Sequence, residues 1–278
     1  MKDLIKIWGQ AELRNPSLVV CWRTDVGKLG ARVADYLNRE LGGQSLGEIE
    51  PASFFPLGGV SIEDDLIEFP ESKLYACPKH DMIIFRGDPP AQEWLKYLNL
   101  ILDVAGHFGQ VKELYTIGGM ISLSAHTTPR ELLTYFSSSQ LKQELSQYSP
   151  GRNMNYETPP GHRPTLNSFL LWAARGRNIP GAALWVTIPF YLVTVEDLAA
   201  QRKILQFFDQ RFSLQIEFQD IDKEITRQNQ RIAQARIESP EVNEYISKLE
   251  SNLTLSEVES EKLTAEIGEF LSRRESQP

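Results

Sequence analysis

The segment Ser122-Leu123-Ser124-Ala125-His126-Thr127-Thr128-Pro129-Arg130 sets two hydroxyl groups and an imidazole within five residues. It lies just past an expected strand end, where open α/β sheets place their ligands. A hydrolase built on these groups would need a carboxylate to orient His126, and Asp25, next to Thr24 beyond the first strand, is the residue able to supply it. Glu157 is a second loop carboxylate suited to acid or base work, although a solvated surface carboxylate is its commoner role. Spacing along a chain does not define a triad, and loop packing with backbone hydrogen bonding is the commoner duty of such Ser and His residues. Gly118-Gly119 closes an expected strand. Such a pair lets a backbone approach a ligand closely, but a tight turn accounts for two glycines more often.

Other chemistry is excluded by spacing. The histidines at 80, 107, 126 and 162 form no HExxH-type pattern and the two cysteines are remote, so no metal site is expected. Gly27-Lys28-Leu29-Gly30 has the letters of a phosphate loop at the wrong spacing, and no dinucleotide fingerprint occurs, so no cofactor is expected. Cys21 and Cys77 lie in apolar runs and read as small buried hydrophobes rather than a disulfide.

Alternating strand and helix patterns must position these groups. Leu18 to Trp22 reads as a buried strand, and Val26 to Leu41 as a helix with apolar residues at 29, 33, 36, 37 and 41, stopped by Gly42-Gly43. Strand patterns follow at Leu46 to Ile49, Val60 to Phe69, Lys73 to Cys77 and Met82 to Phe85, with a turn at Pro78 to Asp81. Pro89 to Phe108 reads as a helix, Glu113 to Ile117 as a strand, Thr165 to Gly176 as a helix, Ala183 to Ile188 as a strand and Val195 to Phe212 as a helix. Ser122 to Arg130 and Ser149 to Pro164 are long loops, a common home of function. The pattern predicts an α/β body, a largely parallel sheet covered by helices.

At 278 residues the chain can build a sizeable core, and 41% of it is apolar. Its net charge of −8 is concentrated in residues 214 to 278, which hold 14 acidic and 8 basic side chains. The chain therefore divides into an α/β domain at 1 to 213 and an acidic helical arm at 214 to 278. No Lys/Arg cluster suits phosphate binding, so nucleic acid is not an expected partner. Ile179 to Val193 is too short, and too broken by Pro180, Gly181 and Pro189, to span a bilayer; the start at Met1 shows no signal-peptide pattern, and a cytoplasmic location is expected.

Six fragments in order resemble the proteasome assembly chaperone 2 family: Leu18 to Gly27, Met82 to Pro90, Thr116 to Met120, His126 to Pro129, Tyr156 to Gly161, and Ala183 to Tyr191. The resemblance covers about residues 16 to 210, and Glu241 to Glu250 resembles the tail helix of bacterial members. It implies a three-layer α/β/α fold with a mostly parallel or mixed sheet, similar to nucleoside phosphorylases and peptidyl hydrolases. It further implies a homo-oligomer with a protein partner and a chaperone-like or scaffolding role. Three departures matter. The first-strand loop reads Trp22-Arg23-Thr24-Asp25-Val26-Gly27 instead of Pro-Gly-x-x-Asn, Phe190 stands where His is frequent, and Ser276-Gln277-Pro278 lacks the hydrophobic-Tyr-any tripeptide of archaeal members, so no docking to a proteasome α ring is expected through it. The alternative is a small-molecule hydrolase or phosphorylase-type enzyme with its site at the strand ends. Its ligand-binding candidates are Thr24, Asp25, Gly118, Gly119, His126, Glu157, Trp185 and Tyr191; no catalytic residue is assigned.

The arm offers a partner surface. Ile221, Ile225, Gln228, Ile232 and Ala235 follow a four-three spacing that makes a narrow apolar seam on a helix from about Leu214 to Ile237. Ser239-Pro240 restarts the chain as N-cap and first helical residue, and Val242, Ile246, Leu249 and Leu253 continue the seam. Thr254 to Glu257 fits a capping box for a third helix through Leu271. The seam can close on the chain's own body or on a neighbouring subunit.

Overall fold

β2 (Ser17–Trp22) is buried along its whole length because it lies inside a sheet covered on both faces. A computed structural model gives the fold and describes residues 4–50, 53–55, 60–63, 65–148 and 157–273, with the backbone alone at 61 and 63. Tyr156, most of the loop from Ser149 and the tripeptide Ser276 to Pro278 lie outside the described residues. The elements are β1 (Ile5–Ile7), β2, α1 (Leu29–Leu41), β3 (Gln44–Ile49), β4 (Ser61–Glu63), β5 (Leu66–Glu68), β6 (Ser72–Cys77), β7 (Met82–Gly87), α2 (Trp94–His107), β8 (Glu113–Ser122), β9 (Leu132–Phe136), α3 (Ser139–Leu145), α4 (Leu166–Arg175), β10 (Gly181–Pro189), α5 (Leu198–Phe212), α6 (Gln219–Glu238), α7 (Pro240–Glu250) and α8 (Glu257–Ser272). One sheet of eight strands has the order β1-β3-β6-β7-β2-β8-β10-β9, and β4-β5 forms a separate ribbon. The four central strands, β7, β2, β8 and β10, are parallel, and antiparallel strands flank them. The fold is the mixed three-layer α/β/α sandwich with a C-terminal helical region.

Strand alternation builds two cores. Val19, Cys21, Tyr115, Ile117, Leu184 and Val186 point to α1, α5 and the arm, whereas Leu18, Val20, Leu114 and Ala183 point to α2 and α4. Both cysteines are free and buried. The arm packs on its own body: Ile221, Ile232, Val242, Ile246, Leu249, Leu263 and Ile267 share one buried cluster with Ala125, Tyr191 and Phe208. Ile225 is half-buried, and Leu253 is exposed and lies off the seam.

Several expectations are corrected. β8 runs on to Ser122, so Gly118-Gly119 are strand residues paired with Trp185 and Val186 rather than a turn. α2 starts at Trp94 instead of Pro89, after Glu93 in a left-handed conformation, and α6 starts at Gln219 instead of Leu214. The third arm helix is capped by Ser256 with Glu259, two residues beyond the expected box, because Ser256 and Glu259 satisfy each other's backbone N–H groups. No element is expected from the sequence at β1, β9 and α3: β1 and β9 are the short edge strands of the sheet, and α3 is a seven-residue helix that buries Leu141 and Leu145.

Candidate functional site

β2 leads through α1 toward β3 on one side, and β8 leads through α4 to β10 on the other. The carboxyl ends of β2 and β8 therefore flank the point where the sheet reverses direction, the position at which open α/β sheets hold ligands. Thr24 and Asp25 follow β2 here. Thr24 is exposed; Asp25 is half-buried and points back onto the chain, where both its oxygens accept the Gly30 N–H at 3.0 and 3.1 Å. The N–H groups of Leu29 and Gly119 also donate to it. Burial lifts its pKa to about 7, against those N–H donors. Asp25 thus caps the start of α1 and ties it to β8. Gly119 is required by that closeness: a Cβ there would come within 2.6 Å of the Val26 carbonyl oxygen.

The expected constellation divides across the sheet. Gly118 and Trp185 face α2 and α4, and a Cβ on Gly118 would sit 2.9 Å from the Trp185 ring. Gly119, Asp25, His126 and Tyr191 lie on the opposite face. Ser122 and Ser124 bond each other at 2.7 Å, and His126 bonds Tyr191, with the backbone N–H 2.5 Å and Nδ1 2.8 Å from the phenol oxygen. Asp25 is engaged by backbone donors, so serine, histidine and aspartate each have separate partners and form no relay. Glu157 is exposed.

The loop that carries His126 instead joins the body to the arm. Its neighbour Thr127 donates to Glu250 of α7 at 3.2 Å, and Glu250 is held by Arg236 of α6 at 2.9 and 3.1 Å. Arg130 places its guanidinium on Asp197 at 2.7 and 3.3 Å and donates to the carbonyls of His126 and Thr128. Burial, then the Arg130 and Arg236 charges, hold the His126 imidazole down to about 4 against the opposing pull of Glu250, and Arg236 holds the Glu250 carboxyl low. A neutral native His126 is stabilising in full above pH 6.5. As pH falls toward 4 the unfolded chain takes up a proton that the folded chain refuses, at about 1.4 kcal/mol per unit, so stability drops by roughly 3 kcal/mol at most. Asp25, raised to about 7, changes stability in the opposite sense over pH 7 to 4. Comparison of wild type with His126→Gln by urea unfolding at pH 7 and pH 4.5 isolates the histidine: the variant is expected to lose less stability on acidification, and an equal loss in both proteins would contradict this.

Charged residues that the sequence left unremarked fill the strand ends of β2 and β7. Arg23 contacts Asp88 at 3.0 Å, Glu68 at 3.1 Å and Glu71 at 3.5 Å; Arg86 pairs with Asp35 at 2.8 Å and also with Glu71. A cavity of ≈ 690 Å³ lies above them, walled by Val60, Ile62, Phe69 and Arg32. The available signal was an arginine inside an otherwise apolar strand, Met82–Gly87. Among the described residues no group of three or more His, Cys, Asp or Glu is placed to hold a metal ion, and no helix is long and apolar enough to cross a membrane.

With this geometry, comparison with known proteins first defines a fold class. A Mycobacterium tuberculosis protein of unknown function superposes with a TM-score of 0.75 at 16% identity, over 91% of this chain and 89% of that one. PbaB of Pyrococcus furiosus, an archaeal proteasome activator, gives 0.66 at 18% identity over 84% and 98%. A Mycobacterium tuberculosis proteasome-assembly chaperone homologue gives 0.67 at 16% over 83% and 99%. No protein of curated function matches by sequence. The profile of the PAC2 family matches residues 24–236, and the chain belongs to that family.

Proposed function

We propose that this chain is an oligomeric, chaperone-like scaffolding protein of the cytoplasm that acts by binding protein surfaces. The observation that carries the reading is the β4–β5 ribbon, paired with no other strand among the described residues, which leaves Ile62, Leu66 and Ile67 exposed with Val60 and Phe69 exposed at its ends. An isolated ribbon of this size is marginal in water, and clustered exposed apolar side chains mark contact sites. The similarity to an archaeal proteasome activator and to a proteasome-assembly chaperone homologue supports the same role. The engagement of Ser122, Ser124, His126 and Asp25 by separate structural partners argues against acyl transfer.

The ≈ 690 Å³ cavity favours a second reading, a small-molecule enzyme using the strand ends of β2 and β7. Both readings meet in one assay. A panel of ester, nucleoside and peptide substrates is expected to show no turnover, while sedimentation at micromolar concentration is expected to show an assembly larger than one chain. Turnover that His126→Ala or Asp88→Asn abolishes with the fold intact would overturn the scaffolding reading.

A further inference from the structure

The arm rests on two seats that one phenol ties together. Its α7 meets the loop 122 to 130, where Thr127 donates to Glu250 and Ala125 shares a buried cluster with Ile246 and Leu249; its α8 lies against the turn Phe190–Leu192. The Tyr191 hydroxyl joins that turn to that loop, 2.5 Å from the backbone nitrogen and 2.8 Å from Nδ1 of His126. Tyr191 is fully buried, and its oxygen has no other hydrogen-bond partner among the described residues.

This geometry fixes where the protons are. The phenol oxygen accepts the His126 N–H, so its own single proton goes to Nδ1, which is then the bare nitrogen of a neutral ring that carries its hydrogen on Nε2. Protonating the ring aims a second donor at the phenol oxygen and leaves the buried phenol O–H without an acceptor. Burial pushes the ionisation of Tyr191 itself up, so the phenol stays neutral. The charges acting on the ring are Arg130 from its own loop, which is paired with Asp197, Arg236 from α6 and Glu250 from α7. Only Glu250 favours a charged ring.

We infer that the Tyr191–His126 contact is an acid-sensitive latch: a neutral ring holds loop and turn together as the seat of the arm, and a protonated ring lets the arm lift while the sheet stays folded. This is a local opening, distinct from global unfolding. It holds whether or not the chain is a scaffold. With the arm lifted the imidazole returns to its ordinary value of 6.5, against about 4 when docked, so docking is at full strength well above pH 6.5 and weakens as pH falls toward 4. Between pH 7 and pH 5 the docking equilibrium weakens by about 20-fold. Asp25 titrates in the same window, but it is tied to α1 and β8 and is common to every variant compared.

Amide hydrogen exchange of the full-length chain, followed residue by residue and corrected at each pH for the rate of an unstructured peptide, measures both kinds of opening. In the wild type, amides of α6 and α7 are expected to be less protected than those of β2 and β8, and to lose protection by about 20-fold between pH 7 and pH 5. His126→Asn, whose side-chain oxygen can take the phenol proton and cannot itself be charged, should hold arm protection within about threefold over the same interval. Arm amides as protected as those of the strands, or an equal fall in His126→Asn, would overturn the latch. A second measurement needs no variant. In the nitrogen NMR spectrum of the wild-type chain with isotope-labelled histidine at pH 7, His126 should carry its proton on Nε2; a proton on Nδ1 would overturn the latch as well.

Discussion

Removal of residues 214 to 278 is expected to leave an insoluble or aggregating body. The arm closes one face of the molecule: α8 lies against the turn Phe190–Leu192, α6 lies against α5, and Leu249 and Ile246 share a core with Tyr191 and Ala125. Polar ties fix its path, with the Tyr36 hydroxyl donating to the Glu217 carbonyl at 3.3 Å and Gln228 Nε2 donating to the Glu196 carbonyl at 2.5 Å. A single cavity-forming change such as Ile246→Ala, at a fully buried position, would cost about 2–5 kcal/mol. Deletion strips many such contacts at once from a domain whose whole stability is typically about 5–15 kcal/mol. Melting and sedimentation of the truncated and full-length chains measure the outcome. Unchanged solubility and melting temperature would show that the body does not need its arm.

Arg130→Ala is expected to destabilise the fold by about 3–5 kcal/mol, since it leaves a buried carboxylate without its counter-charge. Both side chains of the Arg130–Asp197 pair are nearly closed to solvent, 6% and 1% exposed. Asp197 also accepts the Ala200 N–H at 3.1 Å as the N-cap of α5, so its orphaned charge cannot swing into water without uncapping that helix. Arg130→Lys keeps the charge but loses the planar fork that serves Asp197 and two carbonyls together, so its loss should be intermediate. Urea unfolding at pH 7 gives these differences directly. A loss below about 1 kcal/mol for Arg130→Ala, as at an exposed pair, would refute the argument.

Where each strand and helix buries a continuous apolar face, its period was legible: Leu18 to Trp22, the α1 positions 29, 33, 37 and 41, and the Ser239-Pro240 restart all reappear in the fold. The extension of β8 through Gly118-Gly119 was not, because glycine in a strand looks locally like glycine in a turn. Only the arrival of Val26 and the Trp185 ring from distant segments distinguishes the two. The division of the candidate residues between the two faces was equally hidden. A strand sends alternate residues to opposite layers, so Gly118 and Gly119, adjacent in sequence, serve different environments. Arg130 was visible as a letter in the loop, but its partner Asp197 lies 67 residues on and carries no local mark.

The docked arm also bears on how the chain emerges from the ribosome. Every strand of the central sheet precedes residue 190, whereas the helices that seal its α5 side come from residues 219 to 272. At synthesis rates of ~5–20 residues per second, the roughly 60 residues of the arm take about 3 to 12 s to appear. Throughout that interval Ala125, Tyr191 and Leu192, which share a buried cluster with the arm in the folded chain, have no arm to cover them. The emerging body is therefore expected to expose apolar surface that a holding factor at the tunnel exit can bind until the arm docks.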